Sequence, residues 1–252
     1  MEFGLSTYLF ADQRLNSHAL EKILATGCRT VEIFAARQHL DYRDPNQVRD
    51  VGQWFVDHGV ALHSLHAPVF TDTDWGRRGG LPVSLAYTER RLRVDSSDEI
   101  KRALEVAERL PFRYLVVHLG LEGEEYDLQK FDAAFSALEH LRIFAKERGV
   151  KILLENVPNE LATPDRLVNF INYTRLDLKV CLDVGHAHMA QGVHAAFESL
   201  KGYIVSIHIH DNNRLKDDHL LPFEGTIDWQ ETMRDIGSLT FGVRLWRSIR
   251  SH

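Results

Sequence analysis

An aspartate and a histidine stand three residues apart at the end of an apolar run. In the stretch KVCLDVGHAHM at 179–189, the run Val180–Leu182 predicts a buried strand, and Asp183 and His186 follow in the turn. A carboxylate and an imidazole that converge on one point are typical ligands of a divalent metal ion. The alternative is structural, with the aspartate as the cap of the next helix and the histidine filling a turn.

Four other strand-like runs also end in histidine or glutamate. They are Leu62–His66, Tyr114–His118, Ile152–Glu155 and Ile204–His208. Further ionisable side chains follow the last of them, namely His210 and the triplet Asp217-Asp218-His219. In a barrel, the carboxyl ends of parallel strands open on one face, so these side chains would share a centre. The agreement between five strands favours a metal site over separate structural roles.

The donor atoms at these positions narrow the choice of metal. Imidazole and carboxylate without a thiol cluster suit Zn²⁺, Mn²⁺, Fe²⁺ or Co²⁺ better than Ca²⁺, which prefers oxygen ligands, and Mg²⁺ fits less well. Cys181 precedes the turn and is predicted to be a core thiol rather than a ligand. Cys28 is the other cysteine, so no disulfide framework is expected and a reducing compartment is favoured.

Alternating strand and helix signals are predicted to position these residues. The predicted strands are Glu2–Tyr8, Thr30–Phe34, Val60–His66, Arg113–His118, Val150–Glu155, Leu178–Leu182 and Tyr203–His208. The predicted helices are Ser17–Thr26, Asn46–His58, Asp95–Leu110, Asp127–Gly149, Thr163–Tyr173, Val193–Leu200 and Asp228–Ile236. A strand–helix repeat indicates right-handed units around a parallel sheet.

We therefore predict an α/β fold, a (β/α)₈ TIM barrel, as a single domain over 1–252. A doubly wound open sheet is the alternative, but no glycine-rich dinucleotide motif follows the first strand. Leu239–Leu245 offers a poor eighth strand, interrupted by Gly242, and no room remains for an eighth helix. Strand eight and helix eight are thus expected to be incomplete or atypical within 237–252.

This end of the chain raises a further expectation. We expect a barrel that is open or loosely closed here, with its edge covered by a partner chain, as in a homodimer, or by Trp246. The basic residues Arg244, Arg247 and Arg250 resemble a truncated or frame-shifted end.

Composition restricts the partners. The formal charge of −6 over 252 residues carries no electrostatic footprint for nucleic acid, which argues against a polynucleotide partner. No apolar run approaches the roughly 20 residues that span a bilayer and no basic leader is present, so a cytoplasmic protein without a membrane partner is expected. The long irregular stretch Ala67–Leu92 contains Trp75 and is predicted to be a lid, with disorder as the alternative.

Six motifs together resemble the xylose isomerase-like TIM-barrel superfamily. They are LHAPV at 65–69, VVHLG at 116–120, ENVPNE at 155–160, CLDVGHAH at 181–188, HIHDN at 208–212 and DDHLLPFEGTIDW at 217–229. The superfamily includes sugar isomerases and epimerases, inosose dehydratases and apurinic endonucleases of the endonuclease IV type. The resemblance runs from the first strand to Trp229, and it identifies the superfamily more specifically than any one activity within it.

The resemblance implies which residues form the site. A mononuclear sugar-enzyme site would use Glu155, Asp183 and His208 as ligands. A three-metal site of the endonuclease type would use in addition His66, His118, His186, Asp217 and His219. Both kinds also use a glutamate on strand eight, whereas this chain has no acid after Asp235. We expect water or His210 to fill that fourth position.

On this basis we predict a divalent-metal-dependent isomerase or epimerase of a sugar, sugar phosphate or related hydroxy-ketone. The metal would stabilise an enediolate formed by proton transfer, with Glu155 and His186 as the catalytic residues. The predicted substrate-binding residues are His66, His118, His210, Trp75 and Arg214. The alternatives are an endonuclease IV-like phosphodiesterase that acts at abasic sites, and a barrel that binds metal or sugar without turnover.

Overall fold

Eight parallel strands form a closed barrel in chain order. The structure is a computed structural model and describes residues 2–77, 79–239 and 243–246. The strands are β1 Glu2–Ser6, β2 Thr30–Phe34, β3 Ala61–His66, β4 Tyr114–Val117, β5 Lys151–Glu155, β6 Lys179–Asp183, β7 Ile204–Ile209 and β8 Val243–Trp246. Each strand pairs in parallel with the next, and β8 pairs with both β7 and β1. The predicted (β/α)₈ barrel is confirmed.

Helices follow the strands and cover the outside of the barrel. They are α1 Ser17–Ala25, α2 Pro45–His58, α3 Arg90–Leu104, α4 Leu128–Glu147, α5 Pro164–Thr174, α6 Val184–Met189, α7 Val193–Leu200 and α8 Trp229–Ser238. Short 3₁₀ turns follow β1 at Thr7–Phe10 and α3 at Glu105–Glu108. Among the described residues, no helix has the length and apolar character needed to cross a membrane.

Side-chain caps account for where most helices begin. Thr163 and Asp228 cap α5 and α8, because each accepts a hydrogen bond from a backbone N–H of the first turn. Asp44 caps α2, since it accepts from the Asn46 N–H and the helix begins at Pro45, one residue before the predicted Asn46. The six-residue helix α6 was not predicted, and Asp183 caps it by accepting from the His186 N–H.

The interior of the barrel changes from apolar to polar along its axis. Val116, Leu153 and Cys181 are fully buried and pack together in an apolar layer. Cys181 is therefore the core thiol that was predicted, and burial raises the pKa of its thiol to about 11. The carboxyl ends of the strands carry the ionisable residues instead, which places them at one end of the barrel, above an apolar layer.

The eighth strand closes the barrel, so the expectation of an open or loosely closed seam is wrong. β8 is short and begins later than the predicted Leu239–Leu245. Leu245 is fully buried and pairs with Gly4 of β1 and with His208 of β7. A Cβ on Gly4 would lie 2.9 Å from the Leu245 side chain, so the glycine makes room for the leucine. Residues 240–242 and 247–252, including Gly242, Arg247 and Arg250, lie outside the described residues, as does the Trp246 side chain.

The loop after β3 folds back over the open end of the barrel. Its turn is held by Asp72, which accepts hydrogen bonds from the backbone N–H groups of Gly76 and Gly80. Trp75, in the left-handed region at φ 53°, stacks on Phe34 with ring centroids 5.3 Å apart. These contacts support the prediction of a lid rather than that of disorder.

Closure of the barrel can be tested at Leu245. Leu245→Ala should lower the free energy of unfolding by about 2–5 kcal/mol, because it removes a fully buried side chain that meets both neighbouring strands. Leu215→Ala is the control, since Leu215 is 93% exposed and its truncation should change stability by less than about 0.5 kcal/mol. Urea denaturation measures both, and equal effects would contradict a closed barrel.

Candidate metal centre

Glu155 lies at the middle of a group of histidines. It ends β5, is fully buried, and presents its two carboxylate oxygens to different neighbours. Its Oε2 lies 3.0 Å from His66 Nε2 and 3.2 Å from His118 Nε2. Its Oε1 lies 3.1 Å from His208 Nδ1 and 3.6 Å from His186 Nδ1. A carboxylate with histidines on both oxygens has the arrangement of a bridging metal ligand.

Two aspartates extend this group. Asp183, at the end of β6, has Oδ1 2.8 Å from His210 Nε2 and Oδ2 3.7 Å from His208 Nδ1. Asp217, in the loop after β7, has Oδ2 2.9 Å from His219 Nε2 and 3.3 Å from His186 Nε2. Asp183 thus caps α6 and also faces the histidines, so its two proposed roles are compatible.

Four sets of three residues have donor atoms within 4.8 Å of one another. The sets are His66, His118 and Glu155; Glu155, Asp183 and His208; Asp183, His186 and His210; and His210, Asp217 and His219. Neighbouring sets share Glu155, Asp183 or His210, so they form one continuous cluster. The structure therefore brings together every residue that was predicted as a metal ligand.

The hydrogen bonds of the imidazole rings show that a cation fits this cluster. His66 Nδ1 donates to the carbonyl oxygen of Ala67, and His186 Nδ1 donates to that of Asn156. In the neutral rings, Nε2 then carries a lone pair and faces a carboxylate oxygen at 3.0 Å for His66 and 3.3 Å for His186. Two acceptors at such distances need a proton or a metal ion between them.

Charges in the cluster lead to the same conclusion. Burial lowers the pKa of His186, but the carboxylates of Asp183, Asp217 and Glu155 outweigh burial and raise it to about 9. Burial raises the pKa of Asp217, but hydrogen bonds and charge from His186 and His219 outweigh it and lower the pKa well below its ordinary value. The cluster stabilises positive charge, which is what a divalent ion would supply.

Sequence analysis missed Glu32, which contacts the cluster from the middle of β2. It is fully buried, and its carboxylate accepts hydrogen bonds from Ser6 Oγ at 3.0 Å and Ser64 Oγ at 2.8 Å. Its Oε2 also lies 3.1 Å from His208 Nε2. If the ring proton is on Nε2, the Nδ1 lone pair faces Glu155. The signal in the sequence was a charged residue inside the apolar run TVEIF, which is rare without a buried partner.

A cavity of about 460 Å³ opens over the cluster. Its aromatic lining consists of Tyr8, Phe34, Phe70 and Trp75, and its ionisable lining includes His66, His118, His186, Asp217 and His219. Of the residues that the structure describes, no lysine or arginine lines it. Three predicted substrate-binding residues, His66, His118 and Trp75, are therefore placed at the cavity.

The other two predicted substrate-binding residues are placed elsewhere. His210 is fully buried and is not part of the cavity lining. Arg214 also lies outside the lining, where its Nε donates to the carbonyl oxygen of His188 at 3.2 Å. Position after β7 does not distinguish a residue that faces the cavity from one that is packed behind it.

The role of Glu32 can be tested by removing its charge. Glu32→Gln keeps the size of the side chain and one acceptor oxygen, and should weaken divalent metal binding by about 10–100-fold because His208 loses its charged partner. Titration calorimetry with Mn²⁺ or Zn²⁺ measures the change. Glu99→Gln is the matched control, because Glu99 is a buried glutamate on α3 that pairs with Arg102 at 2.9 Å, away from the cluster. An equal loss of affinity in both variants would assign Glu32 only a structural role.

Known proteins resemble this chain at the level of sequence and fold. The uncharacterized protein MJ1311 of Methanocaldococcus jannaschii is 29% identical over 252 residues, covering 96% of this chain and 81% of that protein. A probable endonuclease 4 of Haloquadratum walsbyi is 28% identical over 156 residues, covering 59% of this chain and 46% of that protein. The crystal structure of a D-tagatose 3-epimerase-like protein superposes with a TM-score of 0.80 at 27% identity, covering 99% of this chain and 92% of that one.

These likenesses agree with a match to a family model. The model described as xylose isomerase-like TIM barrel matches residues 20–246, which includes all strands except β1 and every residue of the cluster. The chain therefore belongs to the xylose isomerase-like TIM-barrel family, as the six motifs predicted.

Proposed function

We propose that this chain is a divalent-metal-dependent isomerase or epimerase of a sugar, sugar phosphate or related hydroxy-ketone. The observation that supports it best is the grouping of the donor atoms of Glu155, Asp183 and His208. Glu155 contacts His66 and His118, which line a cavity of about 460 Å³. That volume is within the range of small-molecule sites and suits a monosaccharide. The predicted ligand set Glu155, Asp183 and His208 is retained in this proposal.

The donor atoms fit the proposed metal. The set contains one imidazole nitrogen and carboxylate oxygens without sulfur, which suits Zn²⁺, Mn²⁺, Fe²⁺ or Co²⁺, and Mg²⁺ less well. Glu32 supports the proposal that His208 binds the metal through Nδ1. It contacts Nε2 of that ring, so that Nδ1 faces Glu155 and Asp183. A bound divalent ion would polarise the two oxygens of a hydroxy-ketone and acidify the hydrogen on the hydroxyl-bearing carbon next to the carbonyl.

Two groups of the chain can move that proton. Glu155 is proposed as the base, because its second oxygen faces His66 and His118 at the wall of the cavity. His186 lines the cavity and is the second protonatable group, which serves where family epimerases use the glutamate of strand eight. In this chain, Leu245 occupies the β8 position that pairs with His208.

The aromatic wall completes the proposed site. Trp75 stacks on Phe34 and meets Tyr8 edge to face at 6.3 Å, so the lid covers the cavity with rings. Such a wall packs against the C–H face of a sugar and excludes water from the reacting carbon. This lining supports a small polyhydroxy substrate over an extended polyanion, which would need cationic side chains.

One observation favours a second candidate, an endonuclease 4-like phosphodiesterase. His66 and His118 face one oxygen of Glu155 while His208 faces the other, and Asp217 with His219 adds a further set of donors. Adjacent sets of this kind can hold several ions, as hydrolysis of a phosphodiester by metals requires. The cavity lining, without lysine or arginine among the described residues, places this candidate second.

Hydrogen exchange with solvent tests the proposal. Metal-loaded protein incubated in D₂O with a panel of ketoses should incorporate deuterium next to the carbonyl, as seen by proton NMR. Glu155→Gln should slow this exchange by about 10²–10⁴-fold, because it removes the base. His188→Asn is the matched control, since His188 contacts Thr226 and belongs to none of the four ligand sets.

The contrary outcomes of this experiment are distinct. Cleavage of an oligonucleotide with an abasic site, without deuterium exchange, would support the phosphodiesterase instead. Bound metal with neither activity would indicate a barrel that binds metal or sugar without turnover.

The register of β8 allows the missing acid to be replaced. Leu245→Glu should tighten metal binding by about 10-fold or more, because residue 245 pairs with His208 and the new carboxylate would supply a fourth ligand. Without metal the same variant should be less stable than the parent, since the new carboxylate is buried. Arg244→Glu is the control, because Arg244 pairs with Ile207, one residue out of phase, and should bring no gain. Thermal denaturation with and without Mn²⁺ measures both effects.

A further inference from the structure

Two loops line the cavity with apolar side chains. The arms of the lid contribute Val69, Phe70 and Val83 to one side. The turns that follow β4 and β5 contribute Leu121 and Val157 to a second side. The cavity thus combines two apolar sides with the ionisable residues that come from the strand ends and from the loop after β7.

The backbone of the lid uses its polar groups within the lid. The Val83 N–H donates to the carbonyl oxygen of Val69 at 2.9 Å, which joins the two arms. The carbonyl oxygen of Pro82 accepts a hydrogen bond from the Tyr87 hydroxyl at 3.1 Å, and a proline has no N–H to offer a ligand. The side of the cavity that the lid forms is therefore apolar in its backbone as well as in its side chains.

Asn159 has the same effect on the second side. Its Nδ2 donates to the carbonyl oxygen of Leu121 at 2.9 Å, and its backbone N–H donates to that of Val157 at 2.7 Å. The carbonyl oxygen of Pro158 accepts from the Gly123 N–H at 2.9 Å. Three carbonyl groups of this side are therefore already hydrogen-bonded within the chain.

This lining discriminates between groups on a ligand. A hydroxyl held between the two apolar sides would lose its hydrogen bonds to water without replacement, which weakens binding by about 5–100-fold. A methylene group in the same place strengthens binding by about 4-fold. A phosphate would lie near the carboxylates of Glu122 and Asp217, and among the described residues no lysine or arginine lines the cavity to balance its charge.

We propose that the substrate is an uncharged hydroxy-ketone that is hydroxylated at one end and deoxygenated at the other. Its hydroxylated end would lie near His66 and His118, which line the cavity and contact Glu155. Its carbon chain would lie between the two apolar sides. The inference rests on the proposed function, because it names the class of hydroxy-ketone on which that site acts, and it excludes sugar phosphates from that class.

Three four-carbon ketones that differ only at carbon 4 test the proposal. They are 1,3-dihydroxybutan-2-one, L-erythrulose and L-erythrulose 4-phosphate, which carry hydrogen, hydroxyl and phosphate at that carbon. With Zn²⁺-loaded protein in D₂O, kcat/KM for deuterium exchange next to the carbonyl should fall in that order, by about 5–100-fold between the first two. Titration calorimetry of the same compounds should give the same order of affinity, and it measures the cavity independently of turnover.

Longer carbon chains extend the comparison. 1,3-Dihydroxypentan-2-one and 1,3-dihydroxyhexan-2-one add one and two methylene groups to the deoxygenated end. Each methylene should raise kcat/KM and affinity by about 4-fold, because it adds apolar surface that the two sides remove from water. Values that stay constant or fall with chain length would contradict an apolar site for this end.

A hydroxyl placed on the cavity wall should reduce the discrimination. Val157→Thr keeps the size of the side chain and should lower the preference for 1,3-dihydroxybutan-2-one over L-erythrulose by at least about 5-fold, because it offers a hydrogen bond to the hydroxyl on carbon 4. Val193→Thr is the matched control, since Val193 is 8% exposed, against 7% for Val157, and does not line the cavity. Val83→Thr, on the lid, is the second variant should Val157→Thr fail to fold, as judged by circular dichroism.

The outcomes separate this inference from the proposed function. Exchange and binding of L-erythrulose or its phosphate ester at least as good as those of 1,3-dihydroxybutan-2-one would overturn the inference and support the isomerase. An unchanged preference in both cavity variants would also overturn it, as would a failure of all five ketones to bind. The expected order of affinity without any deuterium exchange would support the ligand class and contradict the isomerase.

Discussion

Buried negative charge is the main physical constraint on the end of the barrel that is formed by the carboxyl ends of its strands. Glu32, Glu155 and Asp183 are all fully buried, and an unpaired carboxylate in such a place costs several kcal/mol. The surrounding imidazoles compensate for that cost only in part, because His66 in its neutral form directs a lone pair rather than a proton at Glu155. The apolar layer below, with Cys181, supplies none of the missing charge. The fold therefore buries negative charge at one end of the barrel, and a bound cation would compensate for it.

The sequence allowed much of this to be predicted, because strand ends are easy to recognise. His66, Glu155 and Asp183 each follow an apolar run, and parallel strands bring such residues together whatever their distance along the chain. Glu32 could not be assigned in this way, because it lies in the middle of β2. Its importance lies in which atom of the side chain faces which neighbour, and spacing along a strand does not contain that information.

The place where β8 closes the barrel between β7 and β1 shows a second limit of prediction from sequence. The segment around Leu245 is poor in strand signals. Without it, however, the facing edges of β1 and β7 would have unpaired backbone groups, and the hydrogen bonds that β8 makes with both strands outweigh its weak local preference for a strand. The strand closes the sheet without supplying the glutamate that the family resemblance implies there. Closing the barrel and supplying a fourth ligand are thus separate properties of β8, because closure needs only its backbone hydrogen bonds whereas a ligand needs a particular side chain.

The hydrogen bonds of Asn156 join the ends of β5 and β6, which carry the proposed ligands Glu155 and Asp183. Its side chain donates to the carbonyl oxygen of Asp183 and accepts from the Asp183 N–H, at 2.9 and 2.8 Å, so it acts as one more rung of the sheet just beyond Glu155. Two adjacent strand ends are thereby held at a set separation, which limits how far apart their carboxylates can move to suit a larger ion. Bonds to Ca²⁺ are about 2.3–2.6 Å long, against about 2.0–2.2 Å for Zn²⁺. The amide of Asn156 would thus favour the shorter bonds of Zn²⁺ over those of Ca²⁺ at the proposed site, although Asn156 is not itself a proposed ligand.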